Sequence, residues 1–211
     1  MTEIYFIEGN ISNGKSTFLK MIEENIPDCQ VIYEPLNVWQ NIVDKSNKNI
    51  LDYFYTDMKK YAYSFQSLAF LSRVKTFKDV DYTKKYVFIE RSIYSDKYIF
   101  AKNCYESGIM NEIEWNLYNE WFNWMEGMLN LSEDRYKFVY ISCEPNTSYN
   151  RLLLRNRREE NSVSLDYLTQ IYNKHEEWLN NKENVIKLDG NVSFNKDKKV
   201  FLDMFNKIIN H

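Results

Sequence analysis

Eight residues near the start of the chain, Gly9-Asn10-Ile11-Ser12-Asn13-Gly14-Lys15-Ser16, fit the phosphate-loop pattern G-x-x-x-x-G-K-[ST]. The flanks fit as well. Ile4-Tyr5-Phe6-Ile7 is a short apolar run, the pattern of a buried strand, and after Thr17 the residues Phe18, Met21 and Ile22 fall at helical spacing. Strand, glycine loop and helix in that order make a phosphate cradle. Glycines let backbone N–H groups turn inward, and the helix N-terminus adds a partial positive charge. Lys15 then reaches the β- and γ-phosphates and the Ser16 hydroxyl sits on Mg²⁺.

The rest of the chain continues the pattern. Apolar runs recur at 3–8, 30–34, 86–90, 137–143 and 185–188. Helical patterns fill about 50–80, 93–107, 111–130, 146–157, 164–181 and 197–210. Strands alternating with helices predict an α/β fold: a five-stranded parallel sheet with helices on both faces. With only 5 Gly, 3 Pro and no linker or repeat, residues 1–211 read as a single domain. In such a sheet ligands bind outside the carboxyl ends of the strands, so chemistry is expected just after residues 8, 34, 90, 143 and 188.

Several classes are disfavoured. A net charge of -3 argues against a sequence-independent grip on nucleic acid. Cys29, Cys104 and Cys143 are odd in number and lack paired spacing, which fits neither a disulfide framework nor a zinc site and points to a reducing compartment. No apolar run approaches the roughly 20 residues of a membrane span, and no signal peptide precedes the first strand. A soluble, cytoplasmic protein without membrane or nucleic-acid partners is expected.

Three clusters stand at the expected strand ends. Glu34-Pro35 leaves a carboxylate at the sheet edge, where a phosphoryl-transfer enzyme needs a group to orient and deprotonate an attacking hydroxyl. Pro35 is expected to stop the strand. Glu90-Arg91-Ser92 places an acid where a second Mg²⁺ contact arises in P-loop proteins, with an arginine beside it. Arg151, Arg155 and Arg158 fall at i, i+4 and i+7, one helix face, and three arginines there repel unless an anion joins them. The segment 151–163 therefore reads as a lid over a triphosphate.

Taken together, these motifs resemble the deoxynucleoside kinase family over nearly the whole chain. Gly9 to Thr17 is similar to that family's ATP loop, Glu34-Pro35 with Trp39 to its catalytic glutamate segment, Ser64-Phe65-Gln66 through Leu71-Ser72-Arg73 to its base-binding helix, Glu90 to Ala101 to its Glu-Arg-Ser segment, and Arg151 to Glu160 to its lid. The resemblance implies ATP as donor, Mg²⁺ as cofactor, a deoxynucleoside as acceptor and a homodimer. It makes Glu34 the base on the 5′-hydroxyl, and Arg91 the holder of that oxygen and of the transferring group. Lys15 acts on the phosphates, and Ser16 and Glu90 position the metal. Tyr55 and Glu160 bind the sugar, Gln66 pairs with the base, and Trp39, Phe65 and Phe100 enclose it. Arg155 and Phe194 sandwich the adenine of ATP, with Arg151 and Arg157 on its phosphates.

Substrate choice then rests on Ala69, Arg73 and Asp96. Thymidine-preferring members of the family carry a bulkier apolar residue, Met and Ala at the matching places; this chain carries the pattern of the deoxycytidine and deoxypurine members. Ala101-Lys102-Asn103 and Ile113-Glu114-Trp115 look closer to the deoxyguanosine branch, so a deoxypurine is favoured. Ser193 stands where an acid often precedes the final aromatic, which leaves GTP or UTP open as further donors. Large apolar residues on the two helices after the third strand, among them Tyr98, Ile113, Trp115, Trp121, Phe122, Trp124 and Met125, suggest a subunit interface. The rival readings are a nucleoside monophosphate kinase of thymidylate kinase type, which would usually show an Asp-Arg start where Glu90-Arg91 stands, and a non-catalytic P-loop switch. A GTPase needs Asn-Lys-x-Asp, which the Asn-Lys pairs at 47, 173, 181 and 206 lack.

Overall fold

The computed structural model describes residues 2–129, 135–180 and 182–211. The chain runs through β1 (Glu3–Glu8), α1 (Lys15–Asn25), β2 (Cys29–Ile32), α2 (Leu36–Asn41), α3 (Ile50–Thr56), α4 (Met58–Thr76) and β3 (Tyr86–Glu90). It continues through α5 (Ile93–Ser95), a π-helical turn (Asp96–Ala101), α6 (Lys102–Glu106) and α7 (Glu112–Leu129), then β4 (Tyr136–Ser142), α8 (Pro145–Arg155), α9 (Leu165–Leu179), β5 (Val185–Asp189) and α10 (Lys198–Ile209). The five strands are all parallel, in the order β2-β3-β1-β4-β5. The expected α/β fold is the one observed.

Strand alternation divides the core. Ile4 and Phe6 of β1 face one layer with Phe70 of α4 and Phe122 of α7. Tyr5 and Ile7 face the other, with Phe18 and Ile22 of α1 and Phe201 and Phe205 of α10. The period of 2 along a strand, buried on both faces, accounts for its continuous apolar run. Each fully buried Phe contributes roughly 1.5–3 kcal/mol from area removed from water, so the layers on either side hold the sheet. A third cluster joins Ile11 of the loop, Ile99, Leu152 of α8 and Leu168 and Ile171 of α9. It ties the phosphate loop to the helices that follow β4.

Four local details differ from the sequence expectation. The expected helix over 50–80 is two helices broken at Asp57, whose side chain caps the second by accepting from Lys60 N–H (3.2 Å). The first is started by a capping box between Asn49 and Asp52. β2 stops at Ile32, short of Pro35, and Pro35 instead stands at the N-terminus of α2, a helix the pattern did not suggest. Finally, α8 ends at Arg155 because Asn156 is left-handed (φ 49°), so Arg158 lies beyond it and the three arginines do not share a helix face.

Candidate active site

At the carboxyl end of β1 the loop is shaped by neutral staples. Gly9 turns at φ 147°, and a Cβ there would lie 2.6 Å from the Ile141 carbonyl oxygen, so only glycine fits. Asn13 Nδ2 donates to that same Ile141 oxygen (3.0 Å), and its Oδ1 accepts from the Ser148 hydroxyl (2.6 Å). Asn10 Nδ2 reaches the Leu168 carbonyl (2.8 Å). Lys15 donates to the Asn10 carbonyl (2.8 Å). Burial, and then the like charge of Arg91, pushes its amine down to about 7, against the pull of Glu90 and Glu34. The Ser16 hydroxyl donates to Glu90 Oε1 (2.7 Å), which brings the two expected metal-holding residues together.

Opposite the loop, four elements contribute charge. Arg73 of α4 is almost wholly buried and makes three directed contacts: Nε to Asp96 Oδ2 (2.8 Å), Nη1 to the Glu90 carbonyl (3.0 Å) and Nη2 to Glu34 Oε1 (3.0 Å). Arg91 Nε also reaches Glu34 Oε1 (3.2 Å), and its guanidinium lies over the Phe100 ring at 4.7 Å. Burial alone would raise the Glu34 carboxyl, but Arg91, Arg73 and Lys15 outweigh it and hold it well below the usual carboxylate range. Burial works against the Arg73 charge too, yet Asp96 and Glu34 keep it above its ordinary value. Asp96 is pushed up by burial, with Arg73 pulling the other way. Among the described residues seven buried side-chain polar atoms have no protein partner, Glu8 Oε2 among them. Three, Ser12 Oγ, Gln66 Nε2 and Arg91 Nη1, belong to residues that border the cavity.

Trp39 is fixed by its indole N–H, which donates to the Ser72 hydroxyl (2.9 Å), and it meets Phe65 edge-on at 5.4 Å. Phe65 in turn stacks on Phe54 at 4.6 Å. The segment 151–163, expected as a lid, borders the same space through Arg151, Arg155, Arg157 and Glu160. Glu160 is buried and takes Arg157 Nη1 (2.9 Å) and Arg155 Nη2. Its neighbour Glu159 accepts from Gln40 (3.0 Å) and Asn49 (3.1 Å), and Arg158 pairs with Asp52 (2.7 Å). Arg151 donates to the Gly190 carbonyl (2.8 Å).

These parts line one cavity of about 760 Å³. Every site residue expected from the sequence borders it except Gly9, Asn10 and Asn13, which brace the loop from behind. Phe194 borders it with little free surface: its ring lies edge-on to Phe18 at 5.5 Å and presses on Gly14. The cavity also takes in Leu36, Leu51, Phe54, Leu154, Tyr167 and the stretch Val192 to Lys196, which sequence reasoning did not name, apart from Ser193 and Phe194. A signal existed for two of these groups. Phe54 precedes Tyr55 on an apolar helix start, and Val192 to Lys196 follows a strand end. Among the described residues no group of three or more His, Cys, Asp or Glu could hold a metal ion by itself. No helix among them is long and apolar enough to cross a membrane.

A phosphate loop facing carboxylates and arginines across one cavity, at the carboxyl edge of a five-stranded parallel sheet, defines a P-loop kinase. The chain belongs to the deoxynucleoside kinase family, whose model matches residues 5–211. It is 39% identical over 198 residues to a Fowlpox virus (strain NVSL) protein named "probable deoxycytidine kinase", covering 90% of this chain and 80% of the relative. It is 38% identical over 193 residues to deoxycytidine kinase of Mus musculus (82% and 74% covered). It is 35% identical over 195 residues to mitochondrial deoxyguanosine kinase of Xenopus laevis (83% and 72%). It is thus an ATP-dependent deoxynucleoside kinase, and the thymidylate kinase and switch-protein readings are not favoured.

Proposed function

We propose that this kinase transfers the γ-phosphoryl group of ATP to the 5′-hydroxyl of deoxyguanosine, deoxyadenosine or deoxycytidine, in preference to thymidine, as a step of nucleotide salvage in the cytoplasm. The observation that carries the preference is the buried Arg73–Asp96 pair, 2.8 Å apart, beside the small side chain of Ala69. An amino-bearing or purine base edge that engages this pair avoids leaving buried polar groups unpaired, a penalty of about 1–3 kcal/mol. The names of the fowlpox, mouse and frog relatives support the same choice.

In this reading Glu34 accepts the proton of the 5′-hydroxyl. Arg91, with its unpartnered Nη1, holds the transferring phosphoryl group, and Lys15 and the loop amides hold the triphosphate. Arg151 and Arg157 close on the triphosphate, and Arg155 with Phe194 flanks its adenine. Gln66 offers its free amide N–H to the base between Trp39, Phe65 and Phe100, while Tyr55 and Glu160 take the sugar hydroxyl. Mg²⁺ fits the two adjoining hard oxygens of Ser16 and Glu90, since magnesium is typically held by one or two carboxylates together with substrate phosphates. Once bound it neutralises charge on the phosphates.

A homodimer is part of the proposal. Ile99, Tyr118 and Phe122 turn inward, but Ile113, Trp121, Trp124 and Met128 of α7 each expose more than half of their surface. An apolar face of that size on one helix fits a self-complementary interface. Product analysis with ATP, Mg²⁺ and a panel of nucleosides tests the substrate reading. Monophosphates of the three named nucleosides are expected, and a highest kcat/KM for thymidine would overturn it. Sedimentation at micromolar concentration tests the dimer, which a monomer alone would refute.

A further inference from the structure

Glu8 closes β1 with its side chain on the Ile4 and Phe6 face, and it is wholly buried. Burying a carboxylate is expensive unless it is hydrogen-bonded, so its partners matter. One oxygen, Oε1, accepts both the backbone N–H (2.8 Å) and the hydroxyl (2.6 Å) of Ser92. The Ser92 oxygen in turn accepts from Ser95 N–H (3.2 Å), which starts α5. Glu8 itself does not border the cavity.

Between Glu90 and Ser92 stands Arg91, at φ 64°. A non-glycine residue persists in that region only when its surroundings over-determine it. Here both sides of the turn are pinned by the last two residues of β1. Arg91 N–H donates to the Ile7 carbonyl (3.0 Å), and Ser92 is held by Glu8. The turn sets where the buried Arg91 side chain points: toward Glu34 Oε1 at 3.2 Å, over Phe100.

We infer that Glu8 is a positioning residue for phosphoryl transfer, acting through the Ser92 anchor to fix the left-handed turn that aims Arg91. The inference rests on the reading of Arg91 as the group that holds the transferring phosphoryl, and the test separates the two. Glu8→Ala, Glu8→Gln, Arg91→Ala and the Glu8→Ala/Arg91→Ala double variant are compared in full-length enzyme, folded by circular dichroism, for kcat and both KM values. Glu8→Ala is expected to lower kcat by roughly 10- to 100-fold through misplacement of Arg91, with both KM values within about threefold of the parent. Glu8→Gln keeps an amide oxygen for the two Ser92 donors and is expected to stay within about threefold of the parent kcat. The double variant is expected to be no slower than Arg91→Ala alone, since residues that act as a unit are not additive. A folded Glu8→Ala enzyme with parental kcat overturns the inference, as does a double variant whose loss is the product of the two single losses. Parental kcat in Arg91→Ala overturns instead the reading of Arg91. If Glu8→Ala does not fold, Ser92→Ala, which removes one of the two donors, is expected to lose about 3- to 10-fold in kcat at unchanged KM; parental kcat there overturns the inference.

Discussion

The two halves of the cavity are built on different principles. The phosphate half is one continuous segment whose shape comes from backbone and from neutral staples: Gly9 against Ile141, Asn13 to Ile141 and Ser148, Asn10 to Leu168. The acceptor half has no continuous segment. Glu34, Arg73, Arg91 and Asp96 arrive from four places in the chain and are mutually compensated by ion pairs. A backbone site fails when its path is blocked. A charge cluster fails when one member is removed and the others are left buried without a partner.

The largest effect expected from this contrast is at Arg73. Replacing it by Met leaves Asp96 unpaired and takes one partner from Glu34, a loss of about 3–5 kcal/mol in stability, to be read by denaturant unfolding together with near loss of activity. Adding Ala69→Val and Asp96→Ala removes the orphaned charge and should admit thymidine, assayed as its monophosphate. Because Arg73 also holds Glu34, that triple variant should turn over more slowly than the parent. Stability equal to the parent in Arg73→Met alone would break the comparison.

Next in size is Glu34→Gln, which keeps shape and removes the proposed base: kcat should fall by roughly 10²-fold or more with little change in nucleoside affinity, measured in single turnover. On the other half, Gly9→Ala should act on one ligand only. Its Cβ meets a backbone oxygen that cannot swing away, so ATP affinity should drop by about tenfold or more while nucleoside affinity measured by calorimetry stays unchanged. An equal loss for both ligands would show that the halves are not independent.

The smallest effect concerns His175, fully buried against the sheet. Its ring stacks on Tyr140 at 5.6 Å and its Nδ1–H donates to the Ile171 carbonyl (2.7 Å). Burial, then the charge of Arg91 and also that of Lys15, push it down to about 3, with the Ile171 bond and Glu176 opposing. A folded-state value below the unfolded one means that the unfolded chain binds the proton first. The contribution of His175 is complete above about pH 6.5 and is lost as pH falls from there toward 3. Unfolding free energy should fall by about 1 kcal/mol between pH 6.5 and 5.5, and His175→Gln should flatten that slope.

The contrast between the halves also explains what the sequence makes legible. Gly9 to Ser16 could be read directly because the whole device is local. Glu34 and Glu90-Arg91 were legible as residues at strand ends, but their mutual contacts were not, since 56 residues separate Glu34 from Glu90. The break at Asp57 hides in an apolar pattern that runs on through both helices, and only Asp57 itself, a capping residue type within that pattern, betrays it. Arg158 leaves the helix face because Asn156 turns left-handed, and the sequence spacing of the arginines carries no sign of that turn. Glu8 passes unnoticed as the polar end of an apolar run, although its buried partner lies 84 residues away.

The staples on the phosphate loop have a consequence for how the enzyme is made. The loop leaves the ribosome well before its partners: Ile141, Ser148 and Leu168, and Phe194 against Gly14, are synthesised well over a hundred residues later. β1 sits in the middle of an all-parallel sheet and pairs with β3 and β4, so no early hairpin can shelter it. A nascent chain halted before β4 carries the complete motif with an open strand edge and no finished cradle, the condition in which chains depend on chaperones. The most recognisable part of the protein is therefore among the last to become functional during its birth.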